Sequence, residues 1–165
     1  MESAFSFKSI DIPNEFEHFF TKYYLHWESD WIRQKKYVGT DYYAIAGNLE
    51  TWKSYYAREN FILLECFMNN EAVGYLSYKI EGVQIHLEAL LLLPDFRGKG
   101  LMAIMLQNFY VYLQKQNKSY QFIYLETNSE NPSNKVYQKL RFVVTEIREN
   151  DRENGEDTLV YQLTN

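Results

Sequence analysis

Two hydrophobic periods take turns along this chain and set out its elements. Residues Ala4 to Ile10 alternate in the two-residue rhythm of a strand, with Phe5, Phe7 and Ser9 set against Ala4, Ser6 and Lys8. Pro13 then opens a helix. Asp11 or Ile12 sits at its cap, and Glu15 and Glu17 lie in its first turn, where the helix dipole favours negative charge. Phe16, Phe19, Phe20 and Tyr23 fall on one face at spacings of three and four. A second helical tract is predicted from Trp27 to Lys36, ended by Gly39 and Thr40. Asp41 caps a third, which reads through Tyr42, Ile45, Leu49, Trp52 and Tyr56. The period returns to two at Phe61 to Met68. Asn69-Asn70-Glu71 is a polar turn, and Ala72 to Ile80 is the returning strand of an antiparallel hairpin. Gly74 inside that strand predicts a bulge or a close approach of main chain.

Val83 to Leu93 is the central strand. Its first part alternates, while Ala89 to Leu93 is continuously apolar, as a strand buried on both faces reads. Leu101 to Gln114 is a helix with a broad apolar face, and Tyr120 to Glu126 is a strand. A helix joining two strands predicts a right-handed crossover between parallel neighbours. Asn128 to Pro132 turns, Ser133 to Leu140 is a short helix, and Phe142 to Ile147 is a strand. The polar run Arg148 to Asp157 is a solvated hairpin loop, and Thr158 to Leu163 closes the sheet. No repeat or linker interrupts the order, so residues 1–165 read as one domain.

Composition narrows the classes. An apolar content of 46% supplies a core, and 24% charged residues suit a solvated surface. The aromatic fraction, 18%, reads as a tyrosine-rich core and rim or as a stacking surface. No apolar run approaches the length of a membrane span, and the start of the chain lacks the pattern of a secretory leader. Cys66 is the only cysteine and sits mid-strand, as a buried small hydrophobe. It can form no intramolecular disulfide, which suits a reducing cytoplasm. A net charge of −5 without a basic cluster argues against nucleic acid and mildly favours a cationic acceptor. His18, His26 and His86 have no partners at metal-ligand spacing, so no metal is expected.

The chemistry gathers in Leu87 to Ala103. The strand breaks at Pro94, turns through Asp95 and Phe96, and reaches Arg97-Gly98-Lys99-Gly100 before the helix from Leu101. The first turn of a helix has N–H groups without intrahelical acceptors, and the dipole adds positive character there, so phosphate is a natural guest. Gly98 and Gly100 admit close approach of such a group, and Arg97 and Lys99 add charge at the rim. An ordinary strand-to-helix bend would use the same glycines. A P-loop is excluded because Lys99 precedes Gly100 in place of Ser or Thr. A dinucleotide fingerprint is excluded because Ala103 stands three residues after Gly100 and no acidic residue follows at a second strand end.

This stretch resembles motif A of the GCN5-related N-acetyltransferases (GNAT), which reads Arg/Gln-x-x-Gly-x-Gly/Ala after a strand ending near Pro. Met102 stands where the family has Gly or Ala. A second stretch resembles motif B, Asn-x-x-Ala-x-x-x-Tyr-x-x-x-Gly-Phe after Leu-Glu. Here Leu125-Glu126 ends the strand, and Tyr137 comes six residues after Asn131 where seven is common. Arg141 replaces the Gly before Phe142. If that position needs positive φ, arginine costs about 1 kcal/mol.

The resemblance implies an α+β fold, with a mostly antiparallel mixed sheet of six to seven strands, one splayed parallel pair and flanking helices. It implies acetyl-coenzyme A as cosubstrate. Its contacts would come from Leu90, Leu91 and Leu92 through main chain, from Arg97, Gly98, Lys99, Gly100, Leu101, Met102 and Ala103 at the turn, and from Asn131 and Asn134. Tyr137 matches the family tyrosine near the thioester sulfur. Its alternative is packing on the core. Glu88 is the candidate base, set against an exposed or ion-paired glutamate, and His86 shares its face by strand alternation. Some of Trp27, Trp31, Tyr42, Tyr43, Trp52 and Tyr55 would line the acceptor side; the rest would pack.

The implied activity is acetyl transfer to the primary amine of a small molecule or peptide by direct attack on the thioester. The alternative is an acyl-coenzyme A-binding sensor or scaffold. Family members often dimerise, and the resemblance carries that expectation too.

Overall fold

At the Asn69-Asn70 turn both residues take positive φ, 52° and 67°, and Met68 pairs directly with Glu71. Asparagine tolerates this left-handed backbone, and such a two-residue turn matches the twist of the strands it joins. Around this hairpin, in a computed structural model that describes residues 5–33, 49–116, 120–152 and 155–164, a seven-stranded sheet is built. In chain order the elements are β1 (Phe5–Ser9), α1 (Ile12–Arg33), α2 (Leu49–Arg58), β2 (Ile62–Met68), β3 (Glu71–Glu81) and β4 (Gln84–Leu92). A 3-10 turn at Pro94–Phe96 leads to α3 (Leu101–Lys115), followed by β5 (Phe122–Asn128), α4 (Asn134–Lys139), β6 (Val143–Arg148) and β7 (Thr158–Thr164).

The sheet order is β1-β2-β3-β4-β5-β7-β6. Every neighbouring pair is antiparallel except β4 and β5, which are parallel and joined through α3. This is the mixed α+β sheet expected from the sequence, at seven strands.

The first helical region differs from expectation. In place of tracts starting near Pro13 and Trp27, α1 is one helix of 22 residues. Tyr24-Leu25-His26 contains neither glycine nor proline, so nothing interrupts the hydrogen-bond ladder between the two predicted tracts. Asp11 is the cap. Its carbonyl accepts from Asn14 N–H (3.1 Å) and Glu15 N–H (2.7 Å), while Glu15 Oε2 accepts from Asp11 N–H (3.0 Å). The predicted cap Asp41, with Tyr42, Tyr43 and Ile45, lies outside the described residues, as do the side chains of Trp27 and Trp31.

Two cores sandwich the sheet. On one face Met105, Leu106, Phe109 and Leu113 of α3 pack on Leu64, Leu76, Ile85 and Leu87, with Tyr137 and Tyr161 alongside. On the other, Phe16, Phe19 and Tyr23 of α1 and Trp52 and Tyr56 of α2 pack on Leu63, Tyr75 and Leu91. Each fully buried Phe or Leu contributes about 1.5–3 kcal/mol. The α1 face also holds a buried carboxylate. Glu65 Oε1 accepts from Tyr23 OH (2.9 Å) and pairs with Lys22, which ties α1 to β2.

Candidate active site

The parallel pair is short. Only Gln84–Phe122, Ile85–Ile123 and His86–Tyr124 are in register. Beyond His86, β4 keeps its partner β3 as far as Leu92, but β5, paired with β7 along its whole length, leaves it. The two parallel strands therefore part as a wedge that opens toward their carboxyl ends, where open α/β sheets take their ligands. Leu90, Leu91 and Leu92 lie on its β4 side.

Two irregularities shape that side. The β3–β4 register slips between Ser77–Ala89 and Tyr78–Leu87, which makes Glu88 the extra residue of a bulge. Ile85 and Leu87 face the α3 core, whereas Ala89 and Leu91 pack with the α1–α2 core. Glu88 lies on the α2 side with His86, as alternation places it, and the extra residue inverts the alternation from Ala89 onward, so that Leu90 and Leu92 face the α3 core. The second is Gly74, where β2 and β3 also slip. A Cβ there would lie 2.0 Å from the Leu91 carbonyl oxygen. This is the close approach that a glycine inside a strand predicts.

At the mouth of the wedge the 3-10 turn ends at Arg97. Gly98 and Gly100 both take positive φ, 73° and 75°, and Gly100 is the cap of α3. A Cβ built on either meets nothing within 4 Å. The requirement at these positions is conformational, and the space above them is open. Ala103 N–H turns back to Gly100 O (3.2 Å), while Leu101 and Met102 N–H have no intrahelical acceptor. Lys99 is exposed. Arg97 is half-buried, and its Nε donates to Leu92 O at 2.8 Å, clasping the end of β4. Met102 turns its side chain to the α3 core, away from the turn.

A cluster of polar and aromatic groups stands where the wedge closes. Glu88 Oε1 accepts from Tyr55 OH (3.0 Å), and Glu88 Oε2 lies 3.6 Å from His86 Nε2. His86 stacks flat on Tyr124, with ring centres 4.5 Å apart and planes 4° apart. Tyr124 OH donates to Glu81 Oε2 (2.5 Å), and Lys79 Nζ pairs with Glu81 at 2.9 Å. Burial holds the His86 pKa below the ordinary histidine value, against the pull of Glu88, Glu81 and Glu126.

On the β5 side, Tyr137 of α4 is buried between Phe142 and Tyr161. Burial pushes its pKa up to about 12, with a bond to Ser133 pulling the other way. Asn131 is committed within its loop: Nδ2 donates to Thr127 Oγ1 (2.7 Å), and Oδ1 accepts from Ser133 N–H (2.9 Å). Asn134 Nδ2 donates to the carbonyls of Asn128 and Ser129. The side-chain oxygens of Asn128 and Asn134 are buried with no hydrogen-bond partner. Among the described residues no group of three or more His, Cys, Asp or Glu side chains gathers as metal ligands, and no helix is long and apolar enough to cross a membrane.

The wedge, the glycine-bearing turn and the crossover through α3 together define an acetyltransferase fold. The chain belongs to the acetyltransferase (GNAT) family, whose sequence model matches residues 15–142. It is similar in structure to RimL, the ribosomal L7/L12 alpha-N-protein acetyltransferase, in complex with coenzyme A. That match has a TM-score of 0.73 at 16% identity, covering 99% of this chain and 95% of that one. The acetyl transferase of Salmonella typhimurium that modifies the N-terminal serine of ribosomal protein L7/L12 matches with TM-score 0.67 at 15% identity. It covers 100% of this chain and 96% of the other. An N-acetyltransferase of Staphylococcus aureus Mu50 matches with TM-score 0.64 at 16% identity, over 98% and 99% of the two chains. No curated protein sequence matches this chain.

Of the residues singled out in the sequence, the structure gathers Glu88, His86 and Tyr55 in one cluster and places Gly98 to Ala103 together at the wedge mouth. Trp52 is a core residue. Tyr124 and Glu81 were not singled out. Tyr124 alternates with Ile123 and Leu125 along its strand, a pattern that turns it away from the α3 core.

Proposed function

We propose that this chain is an acetyl-coenzyme A-dependent N-acetyltransferase acting on a primary amine of a small molecule or peptide. In this reading residues 1–165 form one acetyltransferase unit working in the cytoplasm. The observation that carries it is the wedge between β4 and β5, with the open glycine turn at its mouth and Glu88 at its closed end.

The residues present fit the cosubstrate. Positive-φ glycines with free space, two N–H groups without intrahelical acceptors and Lys99 suit a pyrophosphate. The β4 edge at Leu90 and Leu91, which no residue of β5 pairs, suits a partner with amide groups. Acetyl-coenzyme A supplies the acetyl group as a thioester, open to direct attack by an amine. Glu88 takes the proton that the acceptor ammonium must lose. Tyr137 keeps its own proton at neutral pH and can give it on the leaving-group side. Main-chain N–H near Leu90 offers a donor for developing negative charge. The net charge of −5 favours a cationic acceptor. A protein amino terminus belongs among the candidates, because two similar structures are enzymes of that kind.

The test is calorimetric titration of the protein with acetyl-coenzyme A and with coenzyme A, repeated on Gly100→Glu. The wild type should bind at about micromolar concentration. The variant should not bind, since glutamate is strained at that φ and repels phosphate. Thiol release is then followed with spermidine, kanamycin and a short peptide with a free amino terminus. A folded wild type that fails to bind would sink the cosubstrate assignment. Binding without turnover on any amine would instead favour a sensor or scaffold.

A further inference from the structure

Glu88 is held from two sides by residues that belong to neither the glycine turn nor the Asn131–Phe142 stretch. Tyr55 reaches down from α2 to Oε1 at 3.0 Å. His86, two residues back on β4, presents Nε2 to Oε2 at 3.6 Å, within ion-pair reach and just beyond a hydrogen bond. The imidazole has little room to turn. Tyr124 covers one face in parallel stacking, the Phe61 ring centre lies 6.2 Å away, and Tyr124 is itself tied to Glu81. The other ring nitrogen, Nδ1, is buried with no hydrogen-bond partner.

We propose that His86 and Tyr55 are positioning residues for Glu88. The imidazole stays neutral with its proton on Nε2 and, with the Tyr55 hydroxyl, fixes the carboxylate at the closed end of the wedge; it does not itself carry the proton of the acceptor amine. A charged imidazole would have a second N–H, at Nδ1, buried with nothing to accept it. The neutral ring places its one proton on the nitrogen that faces the carboxylate, because that is where an acceptor waits. The surrounding charges do not overturn this. Glu88 on β4, Glu81 on β3 and Glu126 on β5 favour the cation, Lys79 on β3 opposes it, and desolvation outweighs the carboxylates. Glu59, at the end of α2, is engaged with Lys79 (3.9 Å). Two groups, Tyr55 from α2 and His86 from β4, thus converge on one carboxylate, Tyr124 of β5 backs the imidazole, and α2 becomes part of the site.

The positioning itself can be tested without turnover; its catalytic consequence rests on the acetyl-transfer reading. Imidazole nitrogens of the full chain, labelled with ¹⁵N, are followed by NMR through a pH titration. His86 should show a proton on Nε2 at about pH 7 and titrate below the ordinary value of about 6.5. In Glu88→Gln its midpoint should fall further, since the attraction that favours the cation is lost. In kinetics with acetyl-coenzyme A and an amine accepted in the screen above, His86→Phe should lower kcat by about tenfold or more with the amine KM within about twofold. His86→Gln, whose side-chain amide can still donate to Oε2, should recover most of that loss and keep the wild-type shape of the pH–rate profile. Tyr55→Phe should lower kcat by about threefold or more without changing the His86 tautomer. A proton on Nδ1, a charged His86 at neutral pH, or a His86→Phe variant with unchanged kcat overturns the proposal. So does a His86→Gln variant as inactive as His86→Phe, which would make the imidazole itself the proton carrier. If no amine is acetylated, the acetyl-transfer reading falls, while the tautomer and the Glu88→Gln shift still decide whether His86 and Glu88 are joined as described.

Discussion

At the scale of single residues, environment decides chemistry. Tyr137 sits in the apolar angle between Phe142 and Tyr161, and that burial keeps its hydroxyl protonated well beyond neutral pH. A proton donor needs this property, but so does an inert core tyrosine. Tyr137→Phe separates the two roles because it keeps the ring and removes only the hydroxyl. We expect it to retain coenzyme A affinity and to lower kcat by about 100-fold. Steady-state kinetics beside calorimetry measure both, and an unchanged kcat would make Tyr137 a packing residue. Arg141 was legible from the sequence: it replaces a glycine before Phe142, and its φ is indeed positive, at 68°. The Tyr55–Glu88 contact was not. The two lie 33 positions apart, across a helix end and two hairpins, and periodicity gives a side chain's face without naming the partner across the gap.

At the scale of elements, Gly74 shows how one strand sets the position of the next. Gly74→Ala would force its Cβ against the Leu91 carbonyl, and neither group is the flexible end of a side chain. We expect a loss of roughly 1–3 kcal/mol or more in urea denaturation, because the main chains of β3 and β4 must move apart. Binding of coenzyme A should weaken as well, since the displaced residues lie on the β4 side of the wedge; affinity within about twofold of wild type would argue against that role. The glycine announced itself in the sequence as an interruption of a strand. The bulge at Glu88 did not. It falls where the run Ala89 to Leu93 turns continuously apolar, and in such a run a slipped register leaves no mark on the hydrophobic pattern. In α1 the misreading ran the other way. Two separate apolar clusters suggested two helices, but without a breaker between them the backbone had no reason to stop.

At the scale of the molecule, the two cores are unusually phenolic. Tyr23, Tyr78, Tyr110 and Tyr137 all have pKa values raised by burial. Their folded-state pKa lies above the unfolded value of about 10, so their contribution to stability is complete below that pH and is lost as pH rises through the folded values. Each adds a slope of up to about 1.4 kcal/mol per pH unit. Denaturation midpoints should therefore hold from neutrality to about pH 10 and then drop steeply; a flat profile to about pH 12 would contradict the burial described. The mixed sheet with one parallel pair was legible at this scale because two motifs in the right succession imply that fold. The splay of that pair came with the resemblance, but its start just after His86 did not, because strand lengths in the sequence do not say where two neighbours part. Among the described residues, β1–β4 join β5–β7 within the sheet through three paired positions and one further bond, from Gln121 N–H to Val83 O. Mechanically this is a seam, and whatever lies in the wedge stitches it shut from the far end. A molecule engaging both lips would bind only the joined form and so raise the work needed to separate the halves. The ligand-free protein is then the less stable form, and in the acetyl-transfer reading the lifetime of the fold follows the supply of acetyl-coenzyme A.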